Sequence, residues 1–197
     1  MQGLILFSVI FVSGLAAGFG LATWKSSRKT SSRPRSSSSD ESLTARELDR
    51  LTNAGWRPVH DRALDRCDVD HIQIGPGGVF VIETKNWKGR IRVNDRGVSQ
   101  DGTLRDRVAP NARRAALQIN QRIAASGAKP GWVNAVVVFW GDFEQGMVEQ
   151  DKVTYLHGDK LIEWLRSRPA RLNGIEVDKL AGLIATMRPG VELSLAS

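Results

Sequence analysis

Two apolar runs joined by a glycine–proline turn constrain this chain more than any other feature. Val69 to Ile74 and Val79 to Lys85 are separated by "GPGG", Gly75 to Gly78, and β-branched and aromatic residues on both sides of such a turn predict a tight hairpin inside a sheet. The second run ends unusually: Val79, Phe80, Val81 and Ile82 are followed by Glu83, Thr84 and Lys85, just before Trp87 and Gly89. If the turn closes a symmetric hairpin, Ile74 faces Val79, and counting outward from that pair brings Asp70 opposite Glu83. The two-residue period of a strand then places Asp70, Glu83 and Lys85 on one face.

Carboxylates opposed at about 5 Å repel by roughly 3 kcal/mol at an effective dielectric of 20. Such a pair in a sheet calls for a compensating cation. Lys85 offsets part of the repulsion, and a divalent metal would reverse its sign. Mg²⁺ (or Mn²⁺) suits two carboxylates, the Thr84 carbonyl and several waters. A water activated beside Lys85 would be a nucleophile for a phosphodiester. The same triplet is also compatible with a solvent-exposed Glu–Lys pair at a strand end, with Asp70 as ordinary polar trim.

The flanking sequence predicts a mixed α/β sheet. Ser42 to Ala54 reads as a helix capped by Ser42 and ended by Gly55, with Leu48 and Leu51 on one face. Arg57 to His60 forms a short strand ahead of the hairpin, and Arg90 to Val93 and Gly97 to Leu104 continue the sheet as a meander around "NDRG". A helix from Asn111 to Ala125 follows. Val133 to Trp140 is almost continuously apolar, as a strand buried on both faces would be. Val153 to Leu156 adds a further strand, and helices cover about Gly158 to Arg166 and Val177 to Met187. The order is α-β-β-β-α-β with later additions. Residues 146–197 are expected to be a C-terminal α/β extension that completes the sheet or offers a partner surface through Trp164 and Leu165.

The N-terminus differs in kind. Leu4 to Trp24 carries no charge, and its length would span about 31 Å as a helix, close to one bilayer core. Without a basic segment before it or a small-residue cleavage site after it, it reads as a transmembrane anchor (residues 1–24) rather than a signal peptide. Lys25, Arg28, Lys29, Arg33 and Arg35 follow in a Ser/Arg-rich linker, residues 25–39, expected to be disordered. They place the C-terminal domain on the cytoplasmic side of the cell (inner) membrane. This linker also explains most of the net charge of +7: five of the 28 basic residues lie in it with no acid among them. One cysteine, Cys67, excludes an intrachain disulfide and agrees with a reducing compartment.

"DVDHIQIGPGGVFVIETKNWKGRI", Asp68 to Ile91, resembles the centre of the nuclease-related domain (NERD) family. That family is placed with the PD-(D/E)XK nucleases, whose restriction-endonuclease-like fold has the α-β-β-β-α-β order. The resemblance covers about Glu47 to Trp140, within a domain expected at residues 40–145. It implies that Asp70 and Glu83 are metal ligands, that Lys85 positions or activates water, that Glu47 on the first helix completes the acidic cluster, and that Gln118 is a polar neighbour of the site. Two departures are visible: Arg46 rather than Gly precedes Glu47, and in "APNARRAALQ" Pro110 comes before Asn111, with Gln118 late.

Arg105, Arg107, Arg113 and Arg114 are the candidate phosphate contacts, although Arg113 and Arg114 also fit a solvated helix face. Trp87 fits packing over the hairpin end better than base stacking. His60, His71 and His157 lack zinc spacing, and His71 should point away from the Asp70 face. "GPGG" lacks the helix and Lys-Ser/Thr of a phosphate loop. The expectation is a membrane-tethered, metal-dependent nuclease acting on nucleic acid, DNA before RNA. Its rival is a catalytically weak binding or scaffold module with the same fold, favoured by the near-neutral charge of the domain.

Overall fold

The computed structural model describes residues 38–65, 67–128 and 133–189. The expected anchor and all but the end of the linker lie outside the described residues, and among the described residues no helix is long and apolar enough to cross a membrane. In chain order the elements are α1 (Ser38–Asp49), β1 (Arg57–Ala63), β2 (Asp68–Gly75), β3 (Gly78–Lys85), β4 (Ile91–Asn94), β5 (Gly97–Gln100), β6 (Thr103–Leu104) and α2 (Val108–Ala125). They continue as β7 (Val133–Phe139), β8 (Met147–Gln150), β9 (Val153–His157), α3 (Leu161–Arg166) and α4 (Gly174–Thr186).

Six strands form one mixed sheet in the order β1-β2-β3-β7-β9-β8. The β1–β2, β2–β3 and β8–β9 pairs are antiparallel, whereas β3–β7 and β7–β9 are parallel. β3 and β7 lie at the centre because their runs are apolar on both faces. Val79 and Val81 of β3 join Val137 and Phe139 of β7 in a core completed by α2 and α4. Phe80, Ile82, Val136 and Val138 face the opposite way, onto α1 and α3. α2 presents Ala112, Ala115, Ala116, Ile119 and Ile123 to the sheet, one buried stripe at helical spacing.

The hairpin register is the expected one. Ile74 pairs with Val79 and Gly75 with Gly78, leaving Pro76 and Gly77 as the turn. Gly75 is required by packing, since a Cβ there would enter the Trp56 ring.

The meander does not continue past β3. β4, β5 and β6 form a separate three-stranded sheet, because the place beside β3 is taken by the more apolar β7. The small sheet instead turns Ile91, Val93 and Val98 into the α2 side of the core. α1 also starts earlier than expected, at Ser38, so Ser42 lies inside it rather than capping it. Asp40 and Glu41 occupy its first turn, where the helix dipole favours acids. It stops at Asp49, and a separate 3-10 turn, Thr52–Ala54, leads to Gly55 in the left-handed region, φ +80°.

Past Trp140 the chain completes the sheet with β9 and the edge strand β8, which the sequence reading missed. Trp164 and Leu165 are buried in the core, so they present no partner surface. α4 begins at Gly174 under a capping box made by Asn173 and Glu176, three residues before its expected start.

Candidate active site

The last ladder pair of β2 and β3 is His71 with Ile82, and the next position outward brings Asp70 to Glu83. There Asp70 Oδ2 accepts the backbone N–H of Thr84 at 2.8 Å, so the carboxylate is fixed against the end of β3. In a strand the N–H and C=O of one residue point to the same side, and the Thr84 carbonyl therefore also faces β2. Two positions apart on β3, Glu83 and Lys85 form an ion pair through Oε1 and Nζ. β7 backs them with Val137 opposite Glu83 and Phe139 opposite Lys85, both fully buried. An acid, a base and a second acid thus converge on an apolar floor at the C-terminal end of the central strand.

The electrostatics reflect that floor. Burial pushes the Asp70 carboxyl up from 3.8 to about 6; the Thr84 N–H works against the shift, Glu83 adds to it, Lys85 opposes it and Glu41 adds a further increment. The site thus sets a half-buried carboxyl, disfavoured as an anion by its surroundings, beside the Glu83–Lys85 ion pair. This donor chemistry suits a hard divalent ion, which takes one or two carboxylates, a carbonyl and waters. Asp70, Glu83 and the Thr84 carbonyl would supply the protein ligands. Among the described residues no group of three or more His, Cys, Asp or Glu side chains is arranged to hold a metal, so water would complete the coordination.

The Glu47 carboxylate pairs with Arg50 one turn on, and Glu41 is an α1 acid whose charge reaches Asp70. Glu41 and Glu47 lie three residues either side of Thr44, whose hydroxyl is fully buried against β3, so helical phase does not separate them; their positions along the helix do.

Thr44 itself was missed. Its Oγ1 donates to Asp40 O at 3.2 Å and accepts from Thr84 Oγ1 at 2.9 Å and from Trp140 Nε1 at 2.8 Å. One donor and two acceptor positions are all a hydroxyl has, so the network is complete. It locks α1 onto the ends of β3 and β7.

Gln118 sits between Cys67 and Asp65. Cys67 Sγ donates to Gln118 Oε1 at 3.2 Å, and Gln118 Nε2 reaches Asp65. The Cys67 thiol is pushed up by burial first and then by Asp68, Glu83 and Asp65 against Arg114, so it is a packed thiol between Gln118 and the Glu83 side of the site. Arg114 therefore belongs to this neighbourhood, while its Nη1 also donates to Asn111. Arg113 turns the other way, to the carbonyl of Asp151, and Arg107 precedes the first turn of α2. Arg105 lies over the Trp87 ring at 5.6 Å, and Trp87 packs on Phe139 at 5.7 Å, as expected for a cover on the strand end. His71 points to the opposite face, where its Nδ1 meets His60 Nδ1 at 2.9 Å.

A family model described as Nuclease-related domain matches residues 36–140 of the chain. No curated protein matches it.

Proposed function

Because the chain belongs to the nuclease-related domain family, we propose that it hydrolyses phosphodiester bonds of nucleic acid, DNA before RNA, at the Asp70–Glu83–Lys85 cluster. In this reading the fold is that of the PD-(D/E)XK nucleases, and Mg²⁺ or Mn²⁺ is the cofactor. One observation carries it: two half-buried carboxylates and a lysine share one face at the end of the central strand, with the Thr84 peptide between them.

Asp70 and Glu83 would hold the ion, with Asp70 kept in place by the Thr84 N–H. When bound, the ion would supply Lewis acidity at the scissile phosphoryl group. Lys85 would exchange part of its contact with Glu83 for the substrate, orienting the attacking water and balancing charge that builds on the phosphoryl oxygens. Glu41 adds negative charge at the rim and favours cation capture. Val137 and Phe139 keep the floor dry, which strengthens each of these interactions. Residues 4–24 would anchor the protein in the cell membrane with this domain in the cytoplasm.

The test uses the full chain with linear, circular and single-stranded DNA and with RNA, in Mg²⁺, Mn²⁺ or EDTA. Metal-dependent cleavage is expected, with Glu83→Ala and Lys85→Ala each reducing it about 100-fold or more at an unchanged melting temperature. Wild-type rates in both variants would falsify the assignment. Retention of the protein in the membrane pellet after alkaline extraction, lost on deletion of residues 4–24, is the arm that tests the anchor. The ion pair that occupies Glu83 favours a second reading, a binding or scaffold module with little catalysis. Mg²⁺ binding by calorimetry without cleavage of any substrate would select it.

A further inference from the structure

We propose that the outer face of the β4–β6 sheet is the docking surface for a nucleic-acid duplex, whose sugar–phosphate backbone runs over Arg90 and Arg92 towards the Lys85 end of β3. The inference rests on the nucleic-acid reading above and names the surface that serves it. The near-neutral charge of the domain conceals a segregation. From Lys85 to Arg114 there are nine basic residues and three acidic ones, a balance of +6, whereas the rest of the chain from Asp40 to Ser197 carries 14 basic and 18 acidic, a balance of −4. Within residues 40–197 the net positive charge is therefore confined to the segment from Lys85 to Arg114.

The fold presents that segment at the site. Arg90 bridges to Asp142 in parallel, continuing beyond the Lys85–Phe139 pair of β3 and β7, so β4 starts where the central strand ends. The alternation of β4 buries Ile91 and Val93 and exposes Arg92 and Asn94. Arg90 and Arg92 are on the same side, since both approach Glu144, at 4.0 and 3.8 Å, with all three side chains more than half exposed. Contacts that long between exposed groups hold weakly, and a phosphate can replace the carboxylate.

The two arginines border a polar cleft of about 590 Å³ with Ser99, Asp101, Gly102 and Asp142. The Asp101 carboxylate there has a structural duty, its Oδ1 accepting the Arg90 N–H at 2.8 Å, while Asp142 ties in β4 through its backbone carbonyl, which accepts the Ile91 N–H at 2.7 Å. Asp101 also fixes the sharp turn at Gly89, φ +84°, where a Cβ would strike its carboxylate.

A duplex fits this face better than a single strand. Single strands are bound without sequence preference largely by stacking on aromatic side chains. Here Trp87 is covered by Arg105 on one side and packed on Phe139, and among the described residues none of the exposed large hydrophobic side chains is aromatic. What the surface offers is phosphate contacts, which position a duplex without reading its sequence.

The experiment is fluorescence anisotropy with a short DNA duplex and the corresponding single strand, across salt from about 0.05 to 0.2 M. The full chain carries Lys85→Ala, so that cleavage does not interfere, with and without Arg90→Gln/Arg92→Gln. The double substitution should weaken duplex binding about tenfold or more and lower the slope of log K against log salt by about 1.8, the loss of two phosphate contacts. The control Arg166→Gln/Arg168→Gln should leave both unchanged. An unaltered slope in the Arg90/Arg92 variant, equal binding of the single strand, or no duplex binding by the parent protein would each overturn the proposal. Arginine-dependent binding without cleavage in the parallel assay of the wild-type chain would keep this surface and remove the catalytic reading. Cleavage without arginine dependence would do the reverse.

Discussion

Burial and the neighbouring Glu83 push the Asp70 carboxyl up to about 6, so the ionised form present at neutral pH is disfavoured in the folded state. A rise of that size corresponds to about 3 kcal/mol at the limit, and to less where water at the rim screens the charge. Asp70→Asn keeps an oxygen to accept the Thr84 N–H and removes the charge. It should therefore stabilise the metal-free protein by about 1–2 kcal/mol in urea denaturation at neutral pH, while removing metal-dependent cleavage. Millimolar Mg²⁺ should stabilise the wild type and not the variant, as linkage to a bound ligand requires. Loss of stability in Asp70→Asn would mean that the carboxylate is structural. Asp70, Glu83 and Lys85 were legible in the sequence because a symmetric two-residue turn fixes the register, and register fixes the face. Glu41 was not, because the expected helix began at Ser42 and left Glu41 outside it, whereas α1 starts at Ser38.

At the scale of elements, the Thr44 hydroxyl ties α1 to the candidate-site end of the sheet, beside the packing of Leu48. Thr44→Val preserves shape but leaves Thr84 Oγ1 and Trp140 Nε1 as buried donors without an acceptor, which should cost about 2–4 kcal/mol. Thr44→Ser keeps the hydroxyl and loses a methyl group, for about 1 kcal/mol. Urea titration of both variants tests this, and a Val variant as stable as the Ser variant would show that the three hydrogen bonds contribute little. The same scale separates what the sequence showed from what it hid. β2, β3 and β7 were visible because their apolar runs are long. The split between β3 and β4 was hidden, since two hairpins in succession read as one meander until a later, more apolar strand claims the place between them. β8 was hidden for another reason: "MVEQ" is an edge strand, exposed or half-exposed along its length, with no apolar run to announce it.

For the molecule as a whole, buried His71 and half-buried Asp70, on opposite faces of the sheet, make opposing contributions to stability as pH falls. Burial, reinforced by His60 and opposed by Asp61 and Asp49, lowers His71 from 6.5 to about 4. Between those values the unfolded chain takes up a proton that the fold refuses, so this contribution is full above 6.5 and is lost as pH falls towards 4. Asp70 has the opposite sign. Its raised value, from 3.8 to about 6, lets the fold take up a proton that the unfolded chain does not, so its contribution is present below 3.8 and is lost as pH rises through 6. The windows overlap; the His71 shift corresponds to about 3 kcal/mol and the Asp70 shift, screened at the rim, to about 1–2 kcal/mol. In the wild type Asp70 should therefore offset part of the His71 loss across the overlap. Asp70→Asn removes one of them and should expose the His71 limb, a fall of about 3 kcal/mol between pH 6.5 and 4 in a series of urea titrations. Parallel profiles for the two proteins would mean that Asp70 is not the group offsetting His71. A steeper fall in the variant would show that the candidate site, destabilising at neutral pH, supports the fold in acid.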